Sequence, residues 1–204
     1  WLNKKFMDEG INPPSASAYN YLLDEPNIFD GKKKRKLDLI LSSWIGLYNR
    51  KPRVNNKLFK GLVEWYMSEL KEGGRLILIV PSGFLFNSKT KQLTIRKTLI
   101  EEDLISSIIS LPSIFKNVGI AGNLMILKKG KTKKEKKKIQ FIKSSELLTN
   151  RKEPIFDTII DHYKHFTSDN INAVIVNSNI INSENINLNP DQVIYLHNLK
   201  AQKK

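Results

Sequence analysis

The segment Arg75-Leu76-Ile77-Leu78-Ile79-Val80 most constrains what this chain can fold into. Its consecutive aliphatic residues leave no polar face, so a strand here must be covered on both sides. Gly73-Gly74 precedes it and Pro81-Ser82-Gly83 closes it. Upstream, Leu58, Phe59, Leu62, Val63, Tyr66, Met67 and Leu70 recur at three- and four-residue steps, which predicts an amphipathic helix ended by the glycine pair. Downstream, Lys89–Leu99 predicts a second helix with Leu93, Ile95 and Leu99 inward. A strand buried on both faces between two helices is the signature of an α/β layout.

The rest of the chain extends that pattern. Leu37–Leu41 reads as a buried strand feeding the polar loop Ser42-Ser43-Trp44-Ile45-Gly46. Leu104–Leu111 and Ile120–Lys128 read as further strands, and Ile139–Ile142 extends or flanks the sheet. The short loop Ser113–Gly119 suits an antiparallel hairpin at the edge of a mostly parallel sheet. Pro154–Phe166 predicts a helix, Ala173–Val176 a short strand and Ile180–Tyr195 a capping tail. These readings divide the chain into an α/β domain over residues 1–145 and a helical, capping segment over 146–204. In open α/β sheets, ligands bind just past the carboxyl ends of the strands. Ser42–Tyr48 and Pro81–Ser82 are therefore the first places to look for chemistry.

Composition narrows the partners. The net charge is +14 over 204 residues, concentrated in Lys32–Lys36, Arg50–Lys60 and Lys128–Lys138. Concentrated basic segments suit a polyanion, most simply nucleic acid. Lys32, Lys33, Lys34, Arg35, Arg50, Lys51 and Arg53 flank the expected cleft in sequence and are the candidates for phosphate contact. Lys129–Lys138 reads as a solvated loop. Cysteine is absent, which excludes disulfides and thiolate metal sites and fits a reduced, cytoplasmic setting. His162, His165 and His197 match no metal-ligand spacing, so no metal is expected. No apolar run is long enough to span a bilayer. Trp1-Leu2-Asn3-Lys4 has neither an initiator Met nor an apolar stretch behind it. The expectation is a piece of a longer protein or a split-gene product.

Taken in order, the segments Asp38-Leu39-Ile40-Leu41, Gly73-Gly74-Arg75…Val80-Pro81-Ser82-Gly83-Phe84-Leu85, Ile95-Arg96-Lys97-Thr98-Leu99, Leu104…Leu111-Pro112…Phe115 and Gly119-Ile120…Leu127-Lys128 resemble the modification (methylase) subunit of type I restriction-modification systems and its N6-adenine DNA methyltransferase relatives. Asn187-Leu188-Asn189-Pro190…Tyr195 is similar to that family's carboxyl-terminal pattern. The resemblance covers about residues 37–195. It implies a Rossmann-like S-adenosylmethionine-dependent methyltransferase fold, of which this chain carries the carboxyl-terminal half. It also implies methyl transfer to adenine N6 in duplex DNA, specificity and restriction subunits as partners, and room for a homo-oligomer.

Two departures qualify those implications. The family binds S-adenosylmethionine through a loop of the type D-P-A-x-G-S-G, and no such loop occurs here. Asn20 falls loosely where the family has an acidic residue against the cofactor adenine. The family's catalytic Asn-Pro-Pro-aromatic loop is replaced by Ser42-Ser43-Trp44-Ile45. Ser43, or Ser42 with a loop one residue shorter, takes the place of the asparagine that holds the N6 amine of a flipped-out base. A hydroxyl accepts a hydrogen bond but lacks the carboxamide's reach and geometry. Trp44 or Tyr48 would stack on the base, the competing role for Trp44 being a core anchor. Pro81 and Ser82 would line the base pocket. Asn12-Pro13-Pro14-Ser15 contains the same letters but follows no apolar strand and reads as a turn. The expected outcome is a chain inactive by itself. The alternatives are a non-catalytic module that binds DNA or a specificity subunit, and an enzyme with another methyl acceptor.

Overall fold

The computed structural model describes residues 36–43, 56–88, 90–111, 122–144, 155–181 and 186–202. Its strands are β1 (Leu37–Ser43), β2 (Leu70–Pro81), β3 (Ile105–Ser110), β4 (Gly122–Lys128), β5 (Lys138–Ile142) and β6 (Ala173–Asn177). Its helices are α1 (Asn56–Glu69), α2 (Ser82–Phe86), α3 (Thr90–Glu101), α4 (Ile155–His165) and α5 (Pro190–Gln202). The strands form a single sheet in the order β1-β2-β4-β3-β5-β6. No helix among the described residues is long and apolar enough to cross a membrane.

The apolar run in β2 has the double cover its composition demands. Leu76, Leu78 and Val80 are buried with Val63 and Tyr66 of α1, Ile95 and Leu99 of α3 and Ile194 of α5. On the opposite face Ile77 packs with Leu124, Ile126, Ile109 and Ile142 beneath Ile159 and Tyr163 of α4. Burial of such side chains is the main stabilising contribution, about 1.5–3 kcal/mol each. A buried polar link fastens α4 to the sheet. The Gln140 side chain accepts from Ser107 Oγ (3.1 Å) and donates to the carbonyls of His162 (2.8 Å) and Thr167 (3.0 Å).

Strands β1, β2, β3 and β5 run one way, while β4 and β6 run the other. The β3–β4 pair is the expected antiparallel hairpin. It is not an edge feature, because β4 is inserted between β2 and β3 and pairs with both. An inserted strand still needs cover on both faces, which is why Met125, Ile126 and Leu127 are all buried. Residues 155–202, set apart in sequence as a capping segment, contribute β6 to this sheet and Ile186, Leu188 and Ile194 to its core.

Three local readings are corrected. β1 is an edge strand among the described residues, and Leu37, Leu39 and Leu41 are 42%, 49% and 69% exposed. Only its other face is engaged, with Ile40 against the main core. The apolar run predicted burial, but the layer formed by α4 does not reach this strand. Secondly, α1 ends at Glu69, and the chain is extended through Gly73-Gly74. The glycines serve a register break against β1 rather than a helix stop. Gly73 sits at φ +79°, and a side chain on Gly74 would meet the Lys71 and Leu37 carbonyls at 2.9 and 3.1 Å, so neither tolerates a Cβ well. Thirdly, the lysine loop after β4 is not simply solvated. Lys131 is buried and paired with Asp103 at 2.7 Å.

Candidate functional site

The parallel register carries β1 and β2 to the same end of the sheet. Ser42 pairs with Leu78 and Ser43 with Ile79, two residues before Pro81. Ser42 is half-buried, and its hydroxyl lies 3.1 Å from Tyr66 Oη of α1, where either oxygen can donate. The second predicted site segment arrives alongside, since Pro81 ends β2 and Ser82 opens α2. The structure thus brings Ser42, Ser43, Pro81 and Ser82 to one edge, as the strand-end argument requires. Trp44, Ile45, Tyr48, Asn20, Lys32, Lys33, Lys34, Arg35, Arg50, Lys51 and Arg53 lie outside the described residues, as does Asn12-Pro13-Pro14-Ser15.

Because β4 runs against β2, its first residues join the same edge. Asn123 pairs with Val80 on one side and Ser110 on the other. Asn123 is buried, and its Nδ2 donates to Ser82 Oγ at 2.9 Å. Further along, Ser110 Oγ accepts from the Ser144 amide at 3.1 Å, and Ser144 Oγ donates to the Ser110 carbonyl. The edge is therefore a row of hydroxyls with one carboxamide. None of Ser42, Ser82, Asn123, Ser110 or Ser144 titrates near neutral pH. Such a row can hold a ligand by hydrogen bonding but supplies no general base.

A buried arginine fixes this edge from behind. Arg96 of α3 is 1% exposed. Its Nη1 donates to the Phe84 carbonyl (2.6 Å), Nη2 to that of Asn87 (2.9 Å) and Nε to that of Ile186 (2.9 Å). The Leu188 amide adds a bond to the Leu85 carbonyl at 2.9 Å. The guanidinium thus ties α2, which begins at Ser82, to α3 and to the segment leading into α5. Burial pulls its pKa down to about 10, still well above neutral, so the group remains charged in the interior. Sequence reasoning recognised Arg96 only as part of a pattern and passed over Asn123. The signal in both cases is a strong polar side chain at a position the apolar period assigns inward.

The strand ends among the described residues do not fit an S-adenosylmethionine site. The backbone leaving β1 continues Trp44-Ile45, that leaving β2 continues Ser82-Gly83-Phe84, and that leaving β3 continues Leu111-Pro112. None offers the run of glycines that lets backbone approach the methionine moiety. No group of three or more histidine, cysteine, aspartate or glutamate side chains suited to a metal occurs among the described residues.

The sequence profile of the N-6 DNA Methylase family matches residues 48–202, spanning α1 to α5. This chain belongs to that family. It is 33% identical over 128 residues to the methylase subunit of the type I restriction enzyme MjaVII of Methanocaldococcus jannaschii, an overlap of 58% of this chain and 22% of that protein. Among solved structures, it is similar to the type I restriction-modification methyltransferase subunit of Streptococcus thermophilus, with TM-score 0.63 and 22% identity, covering 92% of this chain and 44% of that one. The modification subunit of a putative type I restriction enzyme from Vibrio vulnificus gives TM-score 0.56 and 20% identity, covering 89% and 41%. The expected α/β, Rossmann-like methyltransferase fold is the fold found. The chain spans about a fifth of the length of the curated relative and under half of each solved one.

Proposed function

We propose that this chain supplies the methyl-acceptor side of a type I adenine-N6 DNA methylase subunit and does not catalyse methyl transfer by itself. The observation that carries this reading is the shared edge of Ser42–Ser43, Pro81–Ser82 and Asn123, in a chain without a glycine-rich cofactor loop. In the whole protein the reaction would be site-specific methylation of adenine N6 in duplex DNA from S-adenosylmethionine, with specificity and restriction subunits as partners. Ser43 or Ser42 would accept from the N6 amine. Ser82, held by Asn123, would line the base pocket beside Pro81. The open face of β1, where Leu37, Leu39 and Leu41 stand exposed, supports a role as part of a larger assembly, since exposed apolar patches mark interaction surfaces.

The test is tritiated methyl transfer from S-adenosylmethionine to unmethylated genomic DNA by the isolated chain. The expected result is no incorporation above the protein-free control, and steady turnover would overturn the reading. A second reading has its own support, the replacement of Asn-Pro-Pro by Ser42-Ser43-Trp44. It makes the chain a non-catalytic module that binds DNA or a specificity subunit. The two readings diverge when the remainder of a methylase subunit is added. Restored methyl transfer favours the first, and complex formation without transfer favours the second.

A further inference from the structure

The loop between β4 and β5 lies at the opposite end of the sheet from Ser42 and Asn123. Lys128 ends β4 beside Arg75, and Lys138 opens β5. Residues 128–138 hold eight lysines and one glutamate. Lysines packed so densely repel one another, and an ordinary surface loop of this composition would spread. Here the turn is built to hold them together. Lys128 Nζ binds both carboxylate oxygens of Glu135 at 2.7 and 2.8 Å, with both side chains nearly buried. Glu135 also accepts from the Thr132 amide at 2.9 Å and Thr132 Oγ1 at 2.7 Å. Amides of Glu135 and Lys136 return to the Thr132 carbonyl at 3.0 Å.

Underneath, Lys131 Nζ donates to Asp103 (2.7 Å) and the Lys138 carbonyl (3.0 Å), while the other Asp103 oxygen accepts from the Lys137 amide at 2.9 Å. The Glu135 and Asp103 carboxylates are thereby spent on the turn's two inward lysines. The remaining side chains, Lys133, Lys134, Lys136, Lys137 and Lys138, are all exposed. Lys134 reaches the His165 carbonyl at 2.6 Å. Lys133, Lys136, Lys137 and Lys138 have no carboxylate partner among the described residues. Glu72, which lies against Gly130, is the acidic side chain at the loop's other margin.

From this geometry we infer that the 131–138 turn is a preformed, sequence-independent contact for the duplex DNA backbone, separate from the base-holding edge. The inference rests on the DNA-methylase reading above. Flexible lysine arms on a fixed turn act as point charges toward phosphates and carry no base information. The run of β4 from Asn123 to Lys128 separates the turn from Asn123 by about 17 Å at ~3.4 Å per residue. The contact therefore grips a stretch of backbone distinct from that around a base held at the far edge.

The test is fluorescence anisotropy of a labelled duplex of mixed sequence, titrated with the protein over a range of salt. K133Q/K136Q removes two charges from the turn without touching Lys128, Lys131 or Glu135. K97Q/K200Q removes two exposed charges elsewhere. The expected result is a several-fold loss of affinity and a salt slope shallower by roughly 1.8 for K133Q/K136Q, at ~0.9 per phosphate contact, with little change for K97Q/K200Q. Equal behaviour of the two variants, with wild-type binding intact, overturns this inference and leaves the methylase reading standing. Wild-type protein that binds poly-glutamate but no duplex overturns both and assigns the turn to an acidic protein.

Discussion

Arg96 gives the most demanding prediction about how the candidate edge is held. Arg96→Met keeps the aliphatic stem and removes the donors to the Phe84, Asn87 and Ile186 carbonyls. Hydrogen bonds to a charged group contribute about 1.5–3 kcal/mol each. Against them stands the cost of burying the charge. A pKa lowered from 12.5 to about 10 corresponds to about 3 kcal/mol at 1.36 kcal/mol per unit. The difference over the three bonds is a net loss of about 1.5–6 kcal/mol. With a urea dependence of about 2 kcal/mol per molar, the unfolding midpoint should fall by about 1–3 M. The loss should be local as well as global. The Leu188 amide, bonded to Leu85, should exchange with deuterium faster in the variant under conditions where both proteins are folded. Arg96→Lys, which keeps the charge but not the three-way reach, should lie between. A midpoint unchanged within about 0.3 M, with Leu188 protected as in the wild type, would refute the clamp.

Other substitutions probe the turn, the edge and the open strand. Glu135→Gln should destabilise the chain by about 1–2 kcal/mol by unpairing the nearly buried Lys128. Burial alone would raise the Glu135 pKa, but the bonds from Lys128 and Thr132 outweigh it and leave it below the ordinary 4.5. Its stabilising contribution is thus complete above about pH 4.5 and is lost as pH falls through the lowered value. The difference in melting temperature between wild type and Glu135→Gln should shrink from pH 6 to pH 3. Asp169 behaves alike. Burial opposes ionisation, yet the amides of Ala173, Ile171 and Asn172 hold its pKa below 3.8, so Asp169→Asn should cost stability at pH 7 and little at pH 2, measured by thermal unfolding. Leu41→Lys, at a side chain 69% exposed, should change the chain's own stability by less than about 0.5 kcal/mol. It should reduce self-association or capture of a complementary methylase segment in sedimentation experiments.

The sheet was legible because its strands announce themselves by composition. Leu76–Val80 has no polar face, and the helices before and after it supply the cover such a strand needs. The position of β4 was not legible. An apolar strand reads the same whether it closes an edge or is inserted between two others, and only pairing to both β2 and β3 reveals the insertion. β1 misled for a related reason. Leu37–Leu41 has the composition of a buried strand, but burial depends on what covers it, which its own residues do not encode. Periodicity also hides buried polar groups. Arg96 occupies an inward position between Ile95 and Leu99, and Asn123 opens an otherwise apolar strand. Each is accommodated by specific partners that come from distant segments, Ile186 for one and Ser82 for the other. Among the lysines, Lys128 and Lys131 look like their neighbours in sequence and differ only in having Glu135 and Asp103 beneath them.

The central claim is the proposed one, that this chain of the N-6 DNA Methylase family carries an acceptor edge without the means to hold a methyl donor. Isothermal titration of S-adenosylmethionine into the folded chain tests it most directly. The account predicts no saturable heat at donor concentrations up to the millimolar range. A stoichiometric binding isotherm would contradict it, because the chain would then hold the donor without a glycine-rich loop.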